Sequence, residues 1–172
     1  MKKLVFILVI ISSININFVM AQEKSSNCSC CNEYYDQFDF WLGEWDVFGP
    51  KGTLVGTNTI KKQYNNCLIQ ENWVSTGKNR GTSYNFYDKN NGLWNQIWID
   101  NTGFVLKLKG NLIANSMILK SSLIEEEKGK FYNQISWTMN EDGTVTQLWE
   151  IYNEKNSKTD EAFRGIYKKR LN

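Results

Sequence analysis

Phe38-Asp39-Phe40-Trp41-Leu42-Gly43-Glu44-Trp45-Asp46-Val47-Phe48-Gly49 is the densest aromatic cluster in the 172-residue chain. Just before it, Tyr34/Tyr35, Phe38 and Trp41 fall at roughly helical spacing, which predicts one or two helical turns over 33–41. From Gly43 onward the apolar period drops to two and turn residues recur at short intervals, the pattern of strands. The stretch reads as the closure of one end of a β-structure and the launch of its first strand.

Working outward towards the C-terminus, alternation and turn punctuation place about ten strands, at 44–48, 53–64, 67–75, 81–87, 93–100, 104–109, 112–123, 130–139, 145–152 and 161–170. The turns carry strong signals: Gly49-Pro50-Lys51-Gly52 with the single proline of the chain, Asn90-Asn91-Gly92, Asn101-Thr102-Gly103 and Glu141-Asp142-Gly143. Consecutive hairpins with short links make an up-and-down antiparallel meander. A sheet of this many strands curls and closes, which removes exposed edges. The predicted fold is all-β, a closed up-and-down antiparallel barrel of about ten strands with a short N-terminal helical turn. A two-sheet sandwich needs longer crossovers than any seen here.

Working outward towards the N-terminus, residues 1–21 have the form of a signal peptide. Lys2 and Lys3 precede the apolar run 4–11, and Val19-Met20-Ala21 ends in a small residue. A membrane anchor is disfavoured: a spanning helix needs about 20 apolar residues, and Asn15 and Asn17 interrupt this run. Export, periplasmic or secreted, is therefore expected. Residues 22–33 read as a disordered, cysteine-rich leader, and 34–172 as one barrel domain.

The four cysteines are Cys28, Cys30, Cys31 and Cys67, and an exported chain is expected to form disulfides. Bridging the adjacent Cys30 and Cys31 strains the backbone, so the expected bridge joins Cys67 to one of the other three. A thiolate metal site is the sharper alternative, but four-thiolate sites show paired Cys-x-x-Cys spacing; no metal is assigned.

The chain has 20 basic and 18 acidic residues, and loss of two leader lysines leaves the exported part near neutrality. That excludes an electrostatic footprint for nucleic acid. Histidine is absent altogether, which removes histidine-based nucleophilic triads, histidine zinc sites and imidazole proton shuttles. Acid–base chemistry here falls to carboxylates, Lys, Tyr or Cys. Glu125-Glu126-Glu127 lacks the spaced pattern of a calcium loop and reads as a solvated hairpin tip.

Gly43-Glu44-Trp45 resembles the Gly-x-Trp signature of the lipocalin and fatty-acid-binding superfamily. The longer opening from Phe40 to Val47, with Glu71-Asn72-Trp73, Gly81-Thr82-Ser83-Tyr84 and 94–100, resembles an uncharacterised bacterial domain family with a lipocalin-like or nitrobindin-like barrel. The resemblance covers most of the chain after the leader and implies a barrel more than an activity. Nitrobindin-like proteins hold haem through a histidine, which this chain lacks, so no cofactor is assigned. The resemblance also implies that Trp45 packs across the closed end against a basic residue of the last strand, Arg164 or Arg170, with Trp41 and Gly43 in the same closure.

Alternate residues of a barrel strand face inward. Glu71 with Trp73, and Gln96 with Trp98 and Asp100, are polar–aromatic mixtures unlike a purely apolar core, and a buried carboxylate is costly unless it is partnered. The candidate ligand-binding set is Glu71, Trp73, Tyr84, Gln96, Trp98, Asp100, Trp137 and Trp149, around an unknown small molecule. Two rivals stand beside this reading. One is an enzyme with Glu71 and Asp100 as an acid–base pair; the other is a filled barrel that meets a partner through its loops. No catalytic residue is assigned.

Overall fold

The computed structural model of the chain describes residues 28–127 and 129–170. Their architecture is a closed antiparallel barrel of ten strands with one extra strand and a short helical plug. Helix α1 (Glu33–Asp36) and a 3-10 turn (Asp39–Trp41) precede β1 (Gly43–Phe48), β2 (Leu54–Gln63), β3 (Leu68–Ser75), β4 (Arg80–Asp88), β5 (Leu93–Asp100), β6 (Val105–Ile113), β7 (Ser116–Lys120), β8 (Ile124–Glu126), β9 (Gly129–Met139), β10 (Val145–Asn153) and β11 (Lys158–Lys169). Pairing runs from β1 in chain order to β7, then to β9, β10 and β11, and β11 returns to β1. The ring is closed, and β8 is an addition that pairs with β9 alone. Among the described residues no helix is long and apolar enough to cross a membrane.

The expected strands 104–109 and 112–123 are redrawn. β6 continues unbroken through Gly110 and Asn111 to Ile113, and the chain turns at Ala114-Asn115, where Ala114 has φ +54°. Gly110 is not a turn residue. It lies in the ladder opposite Leu119, so near the backbone of β7 that an added Cβ would come within 3.1 Å of the Ile118 carbonyl carbon.

Of two disulfides, Cys30–Cys67 ties the N-terminal segment to the start of β3, and Cys28–Cys31 closes a short loop within that segment. Cys67 does join one of the three clustered cysteines, as expected. From Cys28 the chain is already part of the fold rather than a disordered leader, and Asn32 caps α1 by accepting from the Tyr34 N–H. The signal-peptide reading of residues 1–21, and residues 22–27, lie outside the described residues.

The plug seals the end of the barrel that carries the β2–β3, β4–β5 and β9–β10 turns. Phe38 stacks on Trp41 at 4.9 Å and meets the edges of Trp94 and Trp137 at 5.7 and 5.3 Å. These rings are almost wholly buried, and aromatic burial on this scale dominates the energetics of a small core. Lys62 of β2 fastens the plug, with Nζ 2.8 Å from Asp36 and from Asp39.

Trp45 lies under this closure and donates Nε1–H to the Trp41 carbonyl at 2.9 Å. Its basic partner is neither Arg164 nor Arg170. Lys169 covers the Trp45 ring, while Arg164 points outward and pairs with Glu161 and Arg170 pairs with Asp46. The reason is strand phase. Phe163, Gly165 and Tyr167 carry the inward face of β11, Arg164 and Arg170 take the opposite phase, and Lys169 lies opposite Trp45 in the ladder.

Candidate functional site

The other end of the barrel opens into a cavity of about 330 Å³. Its wall is built by the inward phase of β3, β5, β9, β10 and β11, and four tryptophans contribute: Trp73, Trp98, Trp137 and Trp149. Each belongs to a different strand, so the indoles stand around the lumen rather than in one cluster.

Two of them rest on glycines. The indole of Trp73 leans over Gly56 of β2, where an added Cβ would meet Trp73 Cζ2 at 2.7 Å and the Val74 carbonyl oxygen at 2.6 Å. The indole of Trp98 leans over Gly81 of β4 in the same way, with Cη2 and Cζ2 in the space a Cβ would take. Missing side chains on β2 and β4 thus let two large rings lie along the wall and leave the lumen open. Trp73 also packs edge-to-face with Phe163 of β11 at 6.1 Å. At the mouth, Phe104 from the β5–β6 turn stacks on Trp149 of β10 at 6.3 Å.

Glu71 is the one carboxylate among the described residues lining this cavity, and it is 4 % exposed. Asn58 of β2 donates Nδ2–H to Oε1 at 2.7 Å, and Ser83 of β4 donates its hydroxyl to Oε2 at 2.6 Å. Ser83 in turn accepts from Asn85 at 2.9 Å and, more weakly, from Gln96 at 3.4 Å, and Gln96 also donates to the Asn85 side-chain oxygen at 2.8 Å. Asn58 gives a second hydrogen bond to the Tyr167 hydroxyl at 3.3 Å, and that hydroxyl donates to the Gln147 side-chain oxygen. The single hydroxyl proton of Ser83 is directed at Glu71 while its lone pairs face amide donors. Both carboxyl oxygens therefore accept a hydrogen bond from a neighbour, the arrangement an ionised carboxylate wants.

Burial works against that ionisation. Desolvation pushes the Glu71 carboxyl above the usual range, against the hydrogen bonds from Ser83 and Asn58 that pull it down. Burial, and then the nearby Glu71 charge, hold the Tyr167 phenol well above its ordinary value, so it stays a neutral donor. No lysine or arginine is among the described residues lining the cavity.

The sequence-predicted set divides. Glu71, Trp73, Gln96, Trp98, Trp137 and Trp149 all line the cavity. Tyr84 does not: it faces outward and is 38 % exposed, because Ser83 and Asn85 take the inward phase of β4. There Ser83 lies between Glu71 of β3 and Trp98 of β5, and Asn85 between Ile69 and Gln96. Asp100 does not enter the cavity lining either. It caps the turn after β5, accepting from the Thr102 amide and hydroxyl at 2.8 and 2.6 Å and from Asn79 at 3.2 Å. The Thr102 hydroxyl first, then backbone amides and Asn79, hold its carboxyl below the usual value. Glu71 and Asp100 are not brought together, and the acid–base pair is not assembled.

Sequence reasoning missed Asn58, Ser83 and Asn85. The available signal was phase: Asn58 alternates with Gly56 and Ile60, and the face of β4 that carries glycine and small polar residues is the one that can lie beneath neighbouring rings. Among the described residues there is no group of three or more acidic or cysteine side chains placed to hold a metal ion. No protein-family model matches the chain, and no curated protein matches it.

Proposed function

We propose that the protein is an exported binder of a small, partly apolar molecule, held inside the barrel. The observation that carries this reading is the indole-walled cavity with a few convergent polar groups. Its volume of about 330 Å³ lies within the range of about 300–1,000 Å³ usual for small-ligand sites. A barrel filled by its own side chains would leave no such space. Two disulfides among the described residues fit an oxidising compartment, in keeping with the export expected from residues 1–21. The lipocalin-like opening at Gly43-Glu44-Trp45 agrees with a barrel built to hold a ligand.

Native mass spectrometry of the protein isolated from its own host tests the reading. The expected result is a mass above that of the polypeptide, lost on denaturation with release of a small molecule. A clean polypeptide mass across independent purifications would overturn it.

A further inference from the structure

Resting on the binding function just proposed, we infer that the ligand class is a small organic cation, an amine or quaternary ammonium on an apolar body, with its positive centre at Glu71. Three features of the cavity converge on this. The first is the carboxylate itself: buried, supplied with two hydrogen-bond donors aimed at its oxygens, and given no basic partner by the residues lining the cavity. A buried ion without a counter-charge is among the costliest features a fold can carry. A cationic ligand supplies the missing partner.

The second is the wall. Trp73 is the next inward residue of β3 after Glu71, and Trp98 lies in the same ladder row, joined to Glu71 through Ser83. Trp137 and Trp149 come from β9 and β10, and Phe163 stands against Trp73. Aromatic faces attract a desolvated cation through the ring quadrupole, indole most strongly, which is how aromatic cages recognise ammonium groups.

The third is the absence of positive charge in the wall. The titratable groups of the lining are Glu71 and Tyr167. Of the side chains facing Glu71, Asn58 and Ser83 are neutral, and the Tyr167 phenol stays protonated. The lining therefore offers no positive charge to an anion. A neutral ligand would leave the Glu71 charge, or its desolvation, without compensation.

The test uses 2-phenylethylamine, 2-phenylethanol and phenylacetate, which share one apolar body and differ in charge. Each is titrated calorimetrically into the exported chain, freed of any retained molecule. The amine is expected to bind at least about tenfold tighter than the alcohol, and the acid to show no binding. As pH falls through the Glu71 titration, which burial holds above the ordinary carboxyl value, the amine stays charged while Glu71 takes up a proton, so its affinity should fall by up to about tenfold per pH unit. Affinity for the alcohol should not fall. Glu71→Gln is expected to remove the preference for the amine over the alcohol; the pH series on the unaltered protein gives the same discrimination if that variant fails to fold.

Equal binding of amine and alcohol, or tightest binding of phenylacetate, would overturn the cation inference and leave the cavity-binding function standing. A neutral or anionic molecule found retained in the native mass measurement would do the same. Binding of none of the three probes, with a clean polypeptide mass, would overturn both.

Discussion

Lys169 holds its ammonium 4.1 Å from the centre of the Trp45 ring and donates a hydrogen bond to the Leu42 carbonyl. The last strand is thereby clasped over the first at the closed end of the barrel. Gly43 makes the crossing possible. Its φ of +128° is a conformation that other residues rarely adopt, and a Cβ there would collide with the Lys169 ammonium. Trp45→Ala should cost about 3–5 kcal/mol, lowering the melting temperature by roughly 6–20 °C for a chain of this size. Lys169→Met keeps the stem but loses the charge, and should cost only about 0.5–1 kcal/mol because the lysine is exposed. Thermal melts check both. A Trp45→Ala protein that melts like wild type but no longer binds ligand would show that the residue serves the cavity and not the closure.

The Cys30–Cys67 bridge closes a loop with a sequence separation of 37, whereas Cys28–Cys31 spans 3. Loop-closure entropy gives the long bridge about 4 kcal/mol of stabilisation and the short one about 2 kcal/mol. Cys30→Ser with Cys67→Ser should therefore lower the denaturation midpoint about twice as much as Cys28→Ser with Cys31→Ser. Equal losses in the two double variants would contradict the entropic account.

How much of this was legible in the sequence depended on the kind of signal. The bounds expected for β5, 93–100, match the structure because Asn90-Asn91-Gly92 and Asn101-Thr102-Gly103 punctuate both of its ends. The β6–β7 boundary was misplaced because Gly110-Asn111 looks like a turn and instead serves a close strand approach, so the bend read at Ala114-Asn115 inside 112–123 is the true turn. In the site, strand phase was readable for Glu71/Trp73 and Gln96/Trp98. It misled on β4, where the aromatic residues Tyr84 and Phe86 drew attention to the outward face. Asp100 had the correct phase, but its carboxylate was claimed by local turn amides, which alternation does not reveal. The clasp was predicted in kind and wrong in residue: a basic side chain on Trp45 was expected, and only the register of β11 against β1 selects Lys169.

The pH dependence of stability in the empty protein should carry the mark of Glu71. Burial holds its folded-state carboxyl above the ordinary value of 4.5, near which the unfolded chain titrates. Between these two values the folded protein binds more protons than the unfolded one, so the Glu71 contribution to stability falls as pH rises through the window. Glu161, held down to about 2 by Arg164 and then Lys158, acts in the opposite sense, contributing stability above 4.5 that is lost as pH falls towards 2. Comparing wild type with Glu71→Gln isolates the first effect, since contributions from distant groups cancel. The expected outcome is a Gln variant that gains on wild type as pH rises above 4.5 and through the raised Glu71 titration, by about 1.4 kcal/mol per unit of elevation in the Glu71 value. A constant difference across that range would show that Glu71 titrates as an ordinary carboxyl.

Gly81 and Trp98 should behave as a coupled pair. The Trp98 indole occupies the space where a side chain at 81 would start, and the Ile99 carbonyl lies 3.0 Å from the same point. An added methyl cannot move the strand, so the ring must swing into the lumen. Gly81→Ala is expected to cost about 1–3 kcal/mol by overpacking and to weaken ligand binding by narrowing the cavity. Trp98→Ala should also lower stability and affinity, by removing a wall of the cavity. In the double variant the methyl at 81 no longer meets the indole and is left with the Ile99 carbonyl contact alone, so most of its stability cost should vanish, giving a coupling energy of about 1–3 kcal/mol in a double-mutant cycle read by chemical denaturation. Additive costs would mean that the Gly81 requirement comes from the backbone contact at Ile99 and not from the indole, and the cavity would then keep its volume in Gly81→Ala.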